Sequence, residues 1–253
     1  MRSHGFLAAL LLVFAIASQA HADHLEIRSP VVEFGELEFE HFGQTTFDKP
    51  KSGRSNNQAY SNEIEYGVLP WLKLGIESNL QAPTSRNLQY DATAVEGTIQ
   101  LTPQGKYFAD FGFFIEIEHP RRRGDEPAAE FTFGPLVESE LGRIGQFGLL
   151  HRANLLIEKT AGRNAGGETP IKPAWQSRLL VNPMFQPGVE YFGEVNSGEP
   201  ARHRVGPVIA SDFALAPFGL RGTIKTEASY LVGLNAATER GTVRWHLEYG
   251  IAF

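Results

Sequence analysis

The chain has 253 residues, no cysteine, and 23 Lys+Arg against 29 Asp+Glu, a formal net charge of −6. That balance excludes the basic surface of a nucleic-acid binder, and the missing cysteines exclude both a disulfide-stapled secreted domain and a lipid-modified N-terminal Cys. With 26 Gly and 11% aromatics, the composition suits strands and turns better than a helical bundle.

The chain opens MRSHGFLAALLLVFAIASQAHA. Arg2 precedes an apolar run from Phe6 to Ile16, and small residues then frame Ala20-His21-Ala22. This is the pattern of a cleaved secretory signal peptide, residues 1–22. The run is too short for a membrane-spanning helix, which needs about 20 apolar residues. Losing Arg2 leaves 22 Lys+Arg against 29 Asp+Glu, a mature net charge of −7. Residues 23–30 are expected to be a short periplasmic segment and 31–253 a single domain.

Period-2 alternation then recurs down the chain, with turn residues between the runs. The first run, Val31–Phe42, sets Glu36, Glu38 and Glu40 against Leu37 and Phe39. The second, Gln58–Val68, sets Glu63 and Glu65 against Tyr60, Ile64 and Tyr66, and the third, Leu72–Leu80, sets Lys73 and Glu77 against Leu74 and Ile76. Tyr90–Leu101 and Tyr107–Glu118 follow, the latter with Asp110, Glu116 and Glu118 on one face and Phe108 and Phe114 as exceptions to the alternation. Further runs cover Ala129–Leu141, Gln146–Glu158, Lys172–Val181, Phe185–Glu194, Arg204–Ala214 and Leu220–Leu231. The chain closes on TVRWHLEYGIAF, where Val243, Trp245, Leu247, Tyr249, Ile251 and Phe253 alternate with Arg244, His246 and Glu248. This makes about twelve strands.

The connections alternate short and long: Leu69-Pro70-Trp71, Thr102–Lys106, Gly142–Gly145, Asn182–Met184 and Ala216–Gly219 against longer runs such as "GQTTFDKPKSGRSNN" and "KTAGRNAGGETP". Outer-membrane barrels pair short periplasmic turns with longer outer loops. In hydrocarbon the backbone has no water to bond, so strands must close on themselves. The expectation is an all-β fold: a transmembrane antiparallel up-and-down β-barrel of about 12 strands with both termini periplasmic, in the bacterial outer membrane. A soluble sandwich, whose strands also alternate, is the competing reading.

The hairpin "NEIEYGVLPWLKLGIESNL", Asn62–Leu80, and the apolar closing strand resemble a family of Gram-negative outer-membrane proteins grouped with the meta-pathway of phenol degradation and described as transporter-like. The resemblance implies a barrel that passes or binds small, apolar or aromatic solutes. It also implies that Trp245, Tyr249, Ile251 and Phe253 form the segment presented to the barrel-assembly machinery. It brings no catalytic set, no cofactor and no metal.

Inward-facing positions would be rich in charge. Glu36, Glu38, Glu63, Glu65, Lys73, Glu77 and Glu116 fall in the first half; Arg178, Arg204, Arg221, Lys225, Arg244, His246 and Glu248 fall in the second. Two readings stand side by side: pairs that brace a narrow lumen, or opposed walls that sort solutes. The turn at Pro70 places Glu63 opposite Glu77, a like-charge pair that repels and calls for a cation; an Arg from the far wall is expected. Arg121, Arg122 and Arg123 form a predicted outer-loop cluster suited to lipopolysaccharide phosphates. His151 breaks the alternation of its run, so either it faces lipid or a bulge shifts the register. With Ser139 and Ser177 on neighbouring predicted strands, it leaves a membrane-embedded lipid hydrolase as the alternative function. A plugged, non-conducting barrel is the third. Partners are outer-membrane lipids, the assembly machinery and a small solute, with no nucleic acid.

Overall fold

The computed structural model describes residues 25–253 except 50–51, 53, 84–86, 122–128, 163–164, 166 and 168. The signal-peptide region 1–22 lies outside the described residues, as do Arg122 and Arg123.

Twelve long strands form one antiparallel barrel. They are β1 (Glu36–Phe47), β2 (Gln58–Leu69), β3 (Leu72–Ala82), β4 (Gln89–Gln100), β5 (Asp110–Pro120), β6 (Ala129–Ser139), β8 (Phe147–Ala161), β9 (Ile171–Leu180), β10 (Gln186–Glu194), β11 (Arg202–Ala214), β12 (Thr223–Gly233) and β13 (Gly241–Ala252). A two-residue strand, β7 (Arg143–Ile144), extends the β6–β8 connection. Each long strand pairs with its neighbours in sequence, and the first closes on the last from Glu36↔Ala252 to Phe47↔Gly241. Closure removes the edges that an open sheet would leave unpaired.

The strands form where alternation is strong, and the alternation becomes two surfaces. On β3, Ile76 is 61% exposed on the outside while Glu77 is 1% exposed on the inside. Val95, Leu74 and Leu247 share the outer face; Glu38, Glu65, Arg244 and Glu248 share the inner one. The β2–β3 register puts Tyr66 opposite Leu74, Ile64 opposite Ile76 and Glu63 opposite Glu77.

Two sequence expectations are corrected. First, Val31–Phe42 is not one strand. β1 starts at Glu36, and Gly35 turns the chain at φ +78°, a left-handed conformation that glycine adopts without Cβ strain. The described residues before it do not hang outside the barrel as a periplasmic segment. They run back into the lumen: the Val32 N–H donates to Gln100 Oε1 (2.8 Å), the Arg28 N–H donates to Asn154 Oδ1 (2.7 Å), and the Leu25 N–H donates to Gln44 Oε1 (3.0 Å). Alternation is a poor guide there, because a chain that bonds wall side chains mimics a strand without pairing as one. Second, the contrast in loop length is small. One end carries the connections that follow β1, β3, β5, β8, β10 and β12; the other carries those that follow β2, β4, β6, β9 and β11. Stretches 101–109 and 215–222 leave the ladder earlier than their apolar residues suggest, while tight two-residue turns stand at 70–71, at 145–146 between Ile144 and Phe147, and at 183–184 between Asn182 and Phe185.

Candidate functional site

The lumen concentrates the charged side chains of the barrel, and the N-terminal segment organises them. Arg28 is its centre. The Arg28 Nη1 donates to Glu96 Oε1 (3.1 Å), and Nη2 lies 2.9 Å from Glu96 Oε2 as an ion-pair contact. Nη2 also lies 2.7 Å from Glu26 and 4.0 Å from Glu116, and Nη1 lies 3.6 Å from Glu63. The guanidinium carbon stands 4.0 Å over the Phe114 ring. Phe114, an exception to the outward apolar pattern of its strand, therefore faces inward and is 1% exposed.

The segment is anchored along its length. Asn154 Nδ2 donates back to the Arg28 carbonyl (2.9 Å), and Ser29 Oγ donates to Glu138 Oε2 (2.9 Å). Pro30 rests against Gly112, where an added Cβ would stand 2.7 Å from the proline Cβ. Ile27 packs with Phe192, Leu231, Leu25 and Ala174 into a small apolar knot inside the barrel. Each of these contacts joins residues remote in sequence, which is why reading along the strands missed Arg28, Glu96 and Asn154. The one available signal was Phe114, a large apolar residue on an otherwise acidic face.

On the opposite wall Arg244 donates to Glu227 from Nη1 and Nη2 (3.0 Å each) and from Nη1 to Glu190 (3.2 Å). Its Nε donates to the Leu25 carbonyl (2.5 Å), so the same segment bridges both walls. Gln176 donates to both Glu190 and Glu227 (3.2 Å each), and Arg178 donates to Glu227 (3.4 Å).

The remaining residues expected at the lumen fall as follows. Glu36, Glu38, Glu65 and Glu248 are buried on the inner face. Lys73 pairs with Glu65 and, at 2.8 Å, with Glu38; Lys225 lies 2.7 Å from Glu248. His246 Nε2 lies 2.7 Å from Glu40 Oε2, and its ring stacks on Phe42 at 4.1 Å. Arg204 pairs with Glu239 at the long-loop end, with Nη2 3.0 Å from Glu239 Oε2. Arg221 is a correction: it is exposed in the turn before β12, where its carbonyl accepts from Tyr249 Oη (3.0 Å). Gly222 at φ +95° sends the chain out of the ladder there. The like-charged Glu63 and Glu77 do face an arginine, but it is Arg28 of the N-terminal segment and not a residue of the far wall.

Several carboxylate groups could hold a cation by spacing alone: Glu63 with Glu65 and Glu96, Glu77 with Glu96 and Glu116, Glu38 with Glu40 and Glu65, and Glu40 with His246 and Glu248. Lys73, Lys225 and Arg28 already supply positive charge to them.

Polar residues on the outer face bond to one another. His41 Nδ1 lies 3.0 Å from Asn62 Oδ1. His151 follows the regular β6–β8 register with no bulge, so it faces outward, 2.9 Å from Ser177 Oγ through Nδ1 and 3.0 Å from the Leu141 carbonyl through Nε2. Ser139 Oγ donates to the Phe108 carbonyl (2.7 Å) and not to the histidine. Arg121 is exposed just after β5. Of the closing-strand residues, Trp245 packs edge-on to Tyr60 at 5.9 Å, Tyr249 stacks on Phe39 at 6.5 Å, and Phe253 is exposed beyond the last strand.

A closed antiparallel barrel with apolar residues outside and charges inside has the pattern of a membrane-spanning β-barrel. Among solved structures it is similar to the translocator domain of the autotransporter NalP from Neisseria meningitidis, at 10% identity and a TM-score of 0.49 over 86% of this chain and 88% of that one. It is also similar to a bacterial polysaccharide outer membrane secretin (7% identity, TM-score 0.44, 87% of this chain and 99% of that one). A third is OpdQ of Pseudomonas aeruginosa (8% identity, TM-score 0.29, 86% of this chain and 96% of that one). No family model and no curated protein matches the chain, so the resemblance drawn from Asn62–Leu80 stands on that hairpin and the closing strand alone.

Proposed function

We propose that the protein is a bacterial outer-membrane barrel that binds and passes small, charged or strongly polar solutes. The inversion between adjacent residues, Ile76 outside and Glu77 inside, carries this reading. Hydrocarbon accepts the first side chain and not the second. A lining of carboxylates and guanidiniums suits an apolar or aromatic solute poorly, so the lumen chemistry favours a polar cargo over the one implied by the phenol-pathway resemblance. Signal-peptide export, both termini periplasmic, recognition of Trp245, Tyr249, Ile251 and Phe253 by the assembly machinery, and contact of Arg121 with lipopolysaccharide phosphate belong to the same reading. Residues 25–32 narrow the passage, so the resting conductance is expected to be small.

Single-channel recording on the purified full-length protein in planar bilayers tests this. Discrete cation-favouring steps are expected. A silent barrel would leave a plugged structural role, and a protein that is folded and monodisperse in buffer without detergent would remove the membrane reading altogether.

Lipid hydrolysis is a second reading, favoured by the Ser177–His151 contact at 2.9 Å. With the proton on Nε2 bonded to the Leu141 carbonyl, Nδ1 is set to accept from Ser177, as in an activated serine. Fatty-acid release from phospholipid micelles by the wild type, and its loss in Ser177→Ala, would establish it.

A further inference from the structure

The chamber around Arg28 has the makings of a ligand site already occupied by the chain itself. Four carboxylates, from Glu26, Glu63, Glu96 and Glu116, lie within 4.0 Å of this one guanidinium. Among the described residues, no other Lys or Arg pairs with Glu63 or Glu116. Glu63 is completely enclosed, and neither of its oxygens has a hydrogen-bond partner. A buried carboxylate without a donor is unfavourable, so the chamber retains acceptor capacity that Arg28, at 3.6 Å, does not fill. The geometry also selects the cation. The chamber asks for two nitrogens spread across the Glu96 carboxylate, at 3.1 and 2.9 Å from its oxygens, and for a cation whose central carbon stands 4.0 Å from the Phe114 ring centroid. A guanidinium meets both demands; a metal ion or a compact ammonium meets neither fully.

We propose that this chamber is a binding site for small guanidinium-bearing solutes, and that Arg28 is a tethered occupant which such a solute displaces. The passage of that solute rests on the channel reading above; its binding does not. The segment is held independently, its backbone through Asn154 and Gln100 and its Ser29 hydroxyl through Glu138. Arg28→Ala should therefore empty a guanidinium-shaped space without releasing the segment.

The test uses the full-length barrel in detergent micelles, with guanidinium chloride and agmatine at low-millimolar concentration as probes. Sodium and tetramethylammonium chloride at equal ionic strength are the controls. Arg28→Ala is expected to melt below wild type and to be restored by the two guanidinium probes alone. Calorimetric affinity should be about tenfold tighter or more in Arg28→Ala than in wild type, because a tethered competitor acts at an effective concentration in the millimolar range. Adding Glu96→Gln should abolish the rescue. If Arg28→Ala fails to fold, its refolding yield with and without guanidinium is the readout, and recovery specific to guanidinium is expected. Equal responses to sodium or tetramethylammonium, rescue that survives Glu96→Gln, or refolding indifferent to guanidinium would overturn the proposal. A barrel that binds guanidinium but never conducts keeps this site and loses the channel; one that conducts but does not bind it does the reverse.

Discussion

Arg244 is 2% exposed and holds two carboxylates, Glu190 and Glu227, that have left water with it. Removing one partner of a buried ion network strands the others. Arg244→Ala is therefore expected to cost about 3–5 kcal/mol in a urea titration of the folded barrel. Arg244→Lys, which keeps the charge but loses the planar fork, should cost less. Glu239 makes a different case, because it lies in the loop before β13 and answers to solvent pH. Burial pushes its carboxyl up, but the hydrogen bond and charge of Arg204 outweigh that and hold it below the ordinary carboxylate value. A folded-state pKa below the unfolded one, near about 4.3 for Glu, means the pair contributes fully above that value. The contribution is lost as pH falls through the folded-state pKa. Melting temperature should thus drop on acidification more steeply in wild type than in Glu239→Gln, and parallel curves would remove Arg204 as the cause.

The element that decides what the lumen can do is not a strand. Residues 25–32 cross from the Gln100 end of the wall to the level of Gln44 and Arg244, touching both charged walls on the way. They fit because Gly112 leaves room for Pro30. Gly112→Val would drive a side chain into that proline, so it is expected to dislodge the segment and raise bilayer conductance while leaving the β-sheet circular-dichroism signal unchanged. Unaltered conductance in a folded Gly112→Val barrel would show that the segment does not restrict the passage. At the far end, Arg54 bonds Asp48 (2.7 Å) in its own loop and the Ala237 carbonyl (2.9 Å) in another, tying the long loops across the first and last strands.

The barrel as a body depends on which solvent meets which face. Ile76 lies near the middle of β3 on the outer surface. Ile76→Arg should destabilise the protein by about 2–4 kcal/mol in lipid vesicles, the cost of a cation near the bilayer midplane. Fluorescence-monitored urea titration in vesicles measures it, and a negligible effect would mean that this face is not in hydrocarbon. The twelve strands, their antiparallel order and the facing of Ile64, Ile76, Glu63 and Glu77 were legible along the chain, since a strand sends successive side chains to opposite faces whatever its neighbours are. The first strand was misplaced and Arg221 was put in the lumen, because alternation continues past Gly35 and Gly222, where the backbone leaves the ladder. Sequence alone thus determined the wall and its two surfaces, a consequence of local backbone geometry. Only the tertiary structure decided what fills the wall: that Arg28 meets Glu96 and Phe114, and that Arg244 meets Glu227 and Leu25. Those partners are set by barrel closure and by a segment threaded through it, and neither leaves a periodic trace in the order of the residues.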